Sequence, residues 1–279
     1  MSYQNLLVHL DSSKACDVRV EVAVALAHRH QAHLTGLHLV AAPVAASFSR
    51  GYLPPEVTEA LARRTEEAAE RVLARFTAVV EGQQLSFETR IDHGFDTEFP
   101  DLLSIHARYC DLMIMGQIDP DEASAQRHLT EQVALASGGP LLVVPFVGAP
   151  KTLGERVVVA WDASREAARA VADALPLLQQ AQLVRVVTVN ARPGRFGHGA
   201  EPGADLALRL ARHGVTVEVH ALDSGANHVG NAILADVANA NADLLVMGAY
   251  GHSRLRELVL GGVTQTVLEE MTVPVLLSH

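Results

Sequence analysis

The chain says the same thing twice, and that repetition limits its fold more than any other feature. NLLVHLDSS, ending at Ser13, returns as RVVVAWDAS, ending at Ser164. CDLMIMG, ending at Gly116, returns as ADLLVMG, ending at Gly248, and GGPLLVVP, around Pro140, as TVPVLLSH, around Pro274. The offsets are 151 between Asp11 and Asp162, 132 between Gly116 and Gly248, and 134 between Pro140 and Pro274. The fall of 19 from the first offset to the second places extra residues in the middle of the first copy, where Pro43 to Pro55 and a long helical stretch supply them.

Within each copy short, wholly apolar runs alternate with segments of helical periodicity. Strands that are apolar on both sides belong in a parallel sheet covered on both faces. The expectation is two tandem doubly wound α/β domains, 1–148 and 154–279, each a five-stranded parallel sheet flanked by helices, with VGAPKTLGE as the linker. Composition agrees: 49% of residues are apolar but only 4% aromatic, which suits closely packed helices on a sheet.

A net charge of −10 argues against a broad nucleic-acid surface, which needs clustered Lys and Arg. Two cysteines, Cys16 and Cys110, exclude a disulfide framework, and the lack of a Cys-x-x-Cys pair argues against a redox dithiol or thiolate zinc site. The start MSYQNLLVHLDSS has no basic region leading into a long apolar one, so it does not read as a signal peptide, and no stretch nears about 18 uninterrupted apolar residues. A soluble cytoplasmic protein, with no membrane partner, is expected.

The stretch MGAYGHSRLRELVLGGVTQTVLEE begins at Met247 and carries glycines at Gly248, Gly251, Gly261 and Gly262. Ligands of open parallel sheets sit beyond the carboxyl ends of the strands, and glycines there let backbone amides approach a phosphate. His252 and Arg254 lie between the glycines as further donors. The same glycines also serve as a turn and a helix start with no ligand, and spacing alone leaves both readings open.

Gly248-x-x-Gly251, nine residues, then Gly261, following a strand that ends at Met247, resembles the nucleotide-binding signature of the universal stress protein family. The resemblance covers both halves, with Asp11 and Asp162 at the ends of first strands and Pro140 and Pro274 opening last ones. It implies a Rossmann-like fold of the adenine-nucleotide α-hydrolase type. It also implies that ATP, ADP or AMP, with Mg2+ where ATP is bound, is held by Asp162, Val189, Gly248, Gly251, Gly261, Gly262, Val263 and Thr264. The nucleotide would be a regulatory ligand of a stress-response protein with at most weak ATP hydrolysis, since no residue presents itself as a general base.

Two departures qualify the resemblance. The family places Ser or Thr after the third glycine, where this chain has Gly262. Losing one hydrogen bond to a charged group costs about 1.5–3 kcal/mol, or one to two decades of affinity. The first copy continues from Gly116 as QIDPDEASAQRHLTEQ, without glycine and with Asp119, Asp121 and Glu122 where phosphates would lie. It is expected to bind no phosphate and to pair with the second domain as a pseudo-dimer; association of two chains into a homodimer stays open.

Two other readings compete. A nucleotide-free dimerisation scaffold would have lost both sites. An ATP-pyrophosphatase-like enzyme would carry a Ser-Gly-Gly-x-Asp-Ser type loop, but this chain has DASREA. Among the fourteen histidines, His28, His30 and His33 read as a solvated helix end rather than a metal site, and His93 and His228 as loop or cap residues. Cys16 reads as a small buried residue and Trp161 as core.

Overall fold

The computed structural model describes residues 2–42, 55–117, 128–192, 199–225, 228–251 and 262–279. These form ten strands and eight α-helices. In the first half they are β1 (Asn5–Leu10), α1 (Ala15–His30), β2 (His33–Ala41), α2 (Pro55–Val80), β3 (Phe87–Gly94), α3 (Phe99–Ala107), β4 (Leu112–Gly116), α4 (Leu129–Ala136) and β5 (Leu141–Val144). The second half repeats the series with a short helix in place of the long one: β6 (Arg156–Ala160), α5 (Arg165–Leu178), β7 (Leu183–Val189), α6 (Ala204–Arg212), β8 (Val217–Leu222), α7 (Val229–Asn239), β9 (Leu244–Gly248), α8 (Gly262–Glu270) and β10 (Val275–Ser278). The extra residues of the first copy are partly accounted for by α2, 26 residues against 9 in α6. Pro43 and the rest of that insertion up to residue 54 lie outside the described residues.

Strand order is β3-β2-β1-β4-β5-β10-β9-β6-β7-β8. Each half is a doubly wound parallel sheet whose order reverses between its first and fourth strands. The two five-stranded sheets do not stand apart. They fuse through an antiparallel pairing of β5 with β10 in which Leu142 faces Leu276, Val143 faces Val275 and Leu141 faces Leu277. Leu142 and Leu276 are equivalent residues, 134 apart, and the flanking pairs exchange partners. A pseudo-two-fold axis therefore passes through this pair, as in an isologous dimer interface.

Alternation along the strands sorts the core into two layers. Leu6, Val8 and Leu10 face a cluster with α1, α2, α5 and α6, while Leu7 faces one with α3, α4, α7 and α8. The central strands β4, β5, β10 and β9 are almost wholly buried, whereas no residue of the edge strands β3 and β8 is. Gln117, just past β4, locks the halves further: its Nε2 donates to the carbonyls of Leu268 (2.8 Å) and Glu269 (3.1 Å) at the end of α8.

Candidate functional site

In the second half the reversal lies between β6 and β9. Asp162 follows β6 and is exposed; its Oδ1 accepts from the Ser164 N–H (3.0 Å). The Ser164 hydroxyl then accepts from the Ala167 N–H (3.1 Å), capping α5 at one of the donors a helix start leaves over. Asp-x-Ser thus turns the chain from strand into helix, and Ala163 between them takes a left-handed φ of 62°.

Gly248 closes β9 directly against that helix start. A Cβ on it would lie 2.4 Å from the Ala167 nitrogen and 2.6 Å from the Glu166 carbonyl carbon. The first duty of this glycine is helix-on-strand packing. Tyr250 adopts φ 59° and its N–H points to the Thr264 hydroxyl (3.4 Å), so buried Thr264 ties the glycine turn to α8. Gly251 is exposed, with its virtual Cβ 3.2 Å from the Ser164 hydroxyl. Gly262 opens α8 against the His228 ring, and Val263 packs half-buried on the core. Val189 ends β7 and is likewise half-buried. His252, Arg254 and Gly261 lie outside the described residues.

Two residues at these edges escape a reading of the glycine pattern. Glu166 is buried to 7% exposure, and its Oε2 lies 3.1 Å from the virtual Cβ of Gly251. Arg165 reaches its other oxygen at 3.2 Å. A carboxylate thus stands beside the turn that phosphates would approach. The second residue is in the first half, where Arg19 lies beneath Gly116, the counterpart of Gly248. It is 3% exposed, donates to Asp11 Oδ2 at 2.5 Å, and would meet a Cβ on Gly116 at 2.6 Å. Burial opposes ionisation of Asp11, yet Arg19, His9 and the Ser13 hydroxyl hold its carboxyl well below the usual range. Burial and then Arg19 push the nearby His9 imidazole down to about 3, so it stays neutral. Lining up the copies at offset 151 sets Arg19 against Ala170 and Glu166 against Ala15. The expected acids Asp119, Asp121 and Glu122 lie outside the described residues; Arg19 occupies the space beneath Gly116 and pairs with Asp11 there.

The histidine expectations need two corrections. His28 is exposed, but His30 is buried, set edge-on to Tyr3 (4.9 Å between centroids) and 3.1 Å from the Ser2 hydroxyl, because the N-terminal strand folds over the end of α1. His228 caps α7, accepting from the Gly230 N–H (3.4 Å), whereas His93 lies within β3. Trp161 packs partly buried on the core, and Cys16 is buried. Among the described residues no His, Cys, Asp and Glu group could hold a metal, and no helix is long and apolar enough to cross a membrane.

The model of the "Universal stress protein family" matches residues 2–145 and 154–279. "Universal stress protein Slr1230" of Synechocystis is 31% identical over 177 residues, 60% of this chain and 57% of that protein, so the match spans little more than half of the relative. A universal stress protein from Archaeoglobus fulgidus aligns over 98% of this chain and 95% of its own, with a TM-score of 0.74 at 19% identity. Another, described as putative, from Pseudomonas aeruginosa aligns over 99% and 93%, with a TM-score of 0.64 at 13% identity. At these identities the structural likenesses speak to fold.

Proposed function

From the premise that the chain belongs to the universal stress protein family, we propose that its second half binds an adenine nucleotide as a regulatory ligand. ATP with Mg2+ is the form proposed, with ADP or AMP as alternatives. One observation carries the reading: Asp162, the exposed Gly251 turn and the start of α8 converge where the strand order reverses. Asp162 would orient the nucleoside beside Val189. Backbone N–H groups of Gly251, Gly262 and Val263 would meet the phosphates, with His252, Arg254 and Gly261, which lie between them in sequence, contributing as well. Gly248 and Thr264 would act mainly by holding the turn in shape. The carboxylate of Glu166 fits a hard, oxygen-seeking ion, so it would help hold the Mg2+ that offsets the phosphate charge. No described side chain is placed as a nucleophile or general base for hydrolysis, and ATPase activity is expected to be weak.

Calorimetric titration of the full chain with ATP and Mg2+ tests this reading. One equivalent should bind with modest affinity, and Gly251→Asp should abolish binding without lowering the melting temperature by more than a few degrees. Absence of heat and of a thermal shift at millimolar ATP would refute it.

A second reading, a nucleotide-free scaffold, is favoured by Glu166, whose negative charge faces Gly251. In that case the fused ten-stranded sheet would be the functional unit, and Glu166→Gln would leave the null titration unchanged. Under the nucleotide reading Glu166→Gln changes the Mg2+ dependence of binding.

A further inference from the structure

On one side of the pseudo-two-fold axis the halves border an open-mouthed cavity of about 570 Å³. That is within the size of sites that take small molecules. Its walls are the start of the chain at Ser2 and Tyr3, the turns before β4 and β5, and the side of α5. Internal symmetry should produce a twin of this cavity beside α1, and the residues at the equivalent positions are different in kind. Offset 132 sets Arg108 against Ala240 and Cys110 against Ala242. Offset 151 sets Arg169 against Val18 and Asp173 against Val22, and offset 134 sets Gly138 and Gly139 against Thr272 and Val273. Ala240, Ala242 and Val22 are buried, and Val18 and Val273 pack against the cores. At the equivalent positions the other half carries mostly apolar side chains, with Thr272 and with Asp243 in the place of Asp111, whereas this cavity carries two guanidinium groups and two glycines.

The polar groups of the cavity are only partly used by the protein. Asp173 accepts from Arg169 Nε (2.8 Å), and Asp111 Oδ2 accepts backbone N–H groups of Gln4 (2.6 Å) and Asn5 (2.9 Å). The two acids are thus engaged. Arg169 Nη2 also donates to the Gly138 carbonyl (3.1 Å). Arg108 forms no salt bridge among the described residues, and its partner is the Ala136 carbonyl at 3.3 Å. Guanidinium groups keep their charge throughout the ordinary pH range and offer several donors in one plane, which suits an oxyanion. Cys110 supplies no reactive group, since burial and then Asp111 push its thiol up to about 12.

We propose that this cavity is a second binding site, for a small organic anion held by Arg108 and Arg169. The carboxylate or phosphoryl group lies between the two guanidinium groups, over the Gly138-Gly139 turn. The site is separate from the glycine turn at Gly251, although α5 borders both.

Succinate and inorganic phosphate serve as probes in separate titrations of the 15N-labelled full chain, read at the Gly138 and Gly139 amides. Saturable shifts are expected at concentrations up to on the order of 10 mM. Arg108→Gln should weaken the response about tenfold, Ala172→Trp should fill the cavity and remove it, and Gly251→Asp should leave it intact. A response to succinate alone assigns a carboxylate, and one to phosphate alone a phosphoryl group. The proposal fails if neither anion gives saturable shifts, if folded Arg108→Gln and Ala172→Trp chains both respond as wild type, or if Gly251→Asp removes the response.

Discussion

Arg19 lies against Asp11 at 2.5 Å, beneath Gly116, where the second half has only the methyl group of Ala170. An ion pair between a buried guanidinium and a half-exposed carboxylate closes the first-half edge with groups from the chain itself. Arg19→Ala leaves Asp11 without its partner. The loss should be about 2 kcal/mol, below the 3–5 kcal/mol of a fully buried pair because Asp11 keeps contact with water. Urea unfolding measures it, and Asp11→Ser in the Arg19→Ala background should restore part of the loss.

His9 gives the fold a sensitivity to mild acid. Its folded pKa of about 3 lies below the unfolded value near 6.5, so the unfolded chain takes up a proton first as pH falls. The contribution is complete above about pH 6.5 and erodes down to about pH 3, with a slope of up to ~1.4 kcal/mol per pH unit. His9→Gln should flatten the stability profile between pH 6 and pH 4 in denaturant melts. An unchanged profile would assign the acid sensitivity to other groups. Asp11 adds the same sign at lower pH: its stabilisation holds above its unfolded pKa and fades as pH falls towards its depressed folded one.

The seam at Leu142 and Leu276 is expected to make the two halves one folding unit. Both residues are fully buried, so Leu142→Ala should cost about 2–5 kcal/mol. Because the sheet is continuous through this pair, unfolding followed by far-ultraviolet circular dichroism and by Trp161 fluorescence should give coincident transitions. Separate transitions for the two halves would contradict that cooperativity.

Gly248 and Gly251 should separate packing from binding. A methyl at Gly248 would run into the backbone of α5, so Gly248→Ala is expected to cost about 1–3 kcal/mol whether or not nucleotide is present. At exposed Gly251 the contacts are 3.1–3.3 Å, to the Glu166 carboxylate and the Ser164 side chain. Gly251→Ala should leave the melting temperature within about 2 °C while altering nucleotide titrations.

Repeated motifs and apolar runs made the α/β class, the two five-stranded halves and the glycine turn after β9 legible from the residues in order. Buried parallel strands require continuous apolar runs, and chain reversal at a sheet edge requires small or polar residues, so these features are written locally. Periodicity also indicated that α2 carries part of the insertion in the first copy. It could not show that β5 and β10 pair antiparallel about Leu142 and Leu276, because an exposed edge and a paired edge can use the same apolar strand. Nor could it show that Arg19 reaches Asp11, that Glu166 stands beside Gly251, or that Arg108 and Arg169 flank one cavity and not its twin. Local residue patterns dictate which segments form and in what order. Which side chains share a space follows from packing between elements far apart in the chain, which no local pattern encodes.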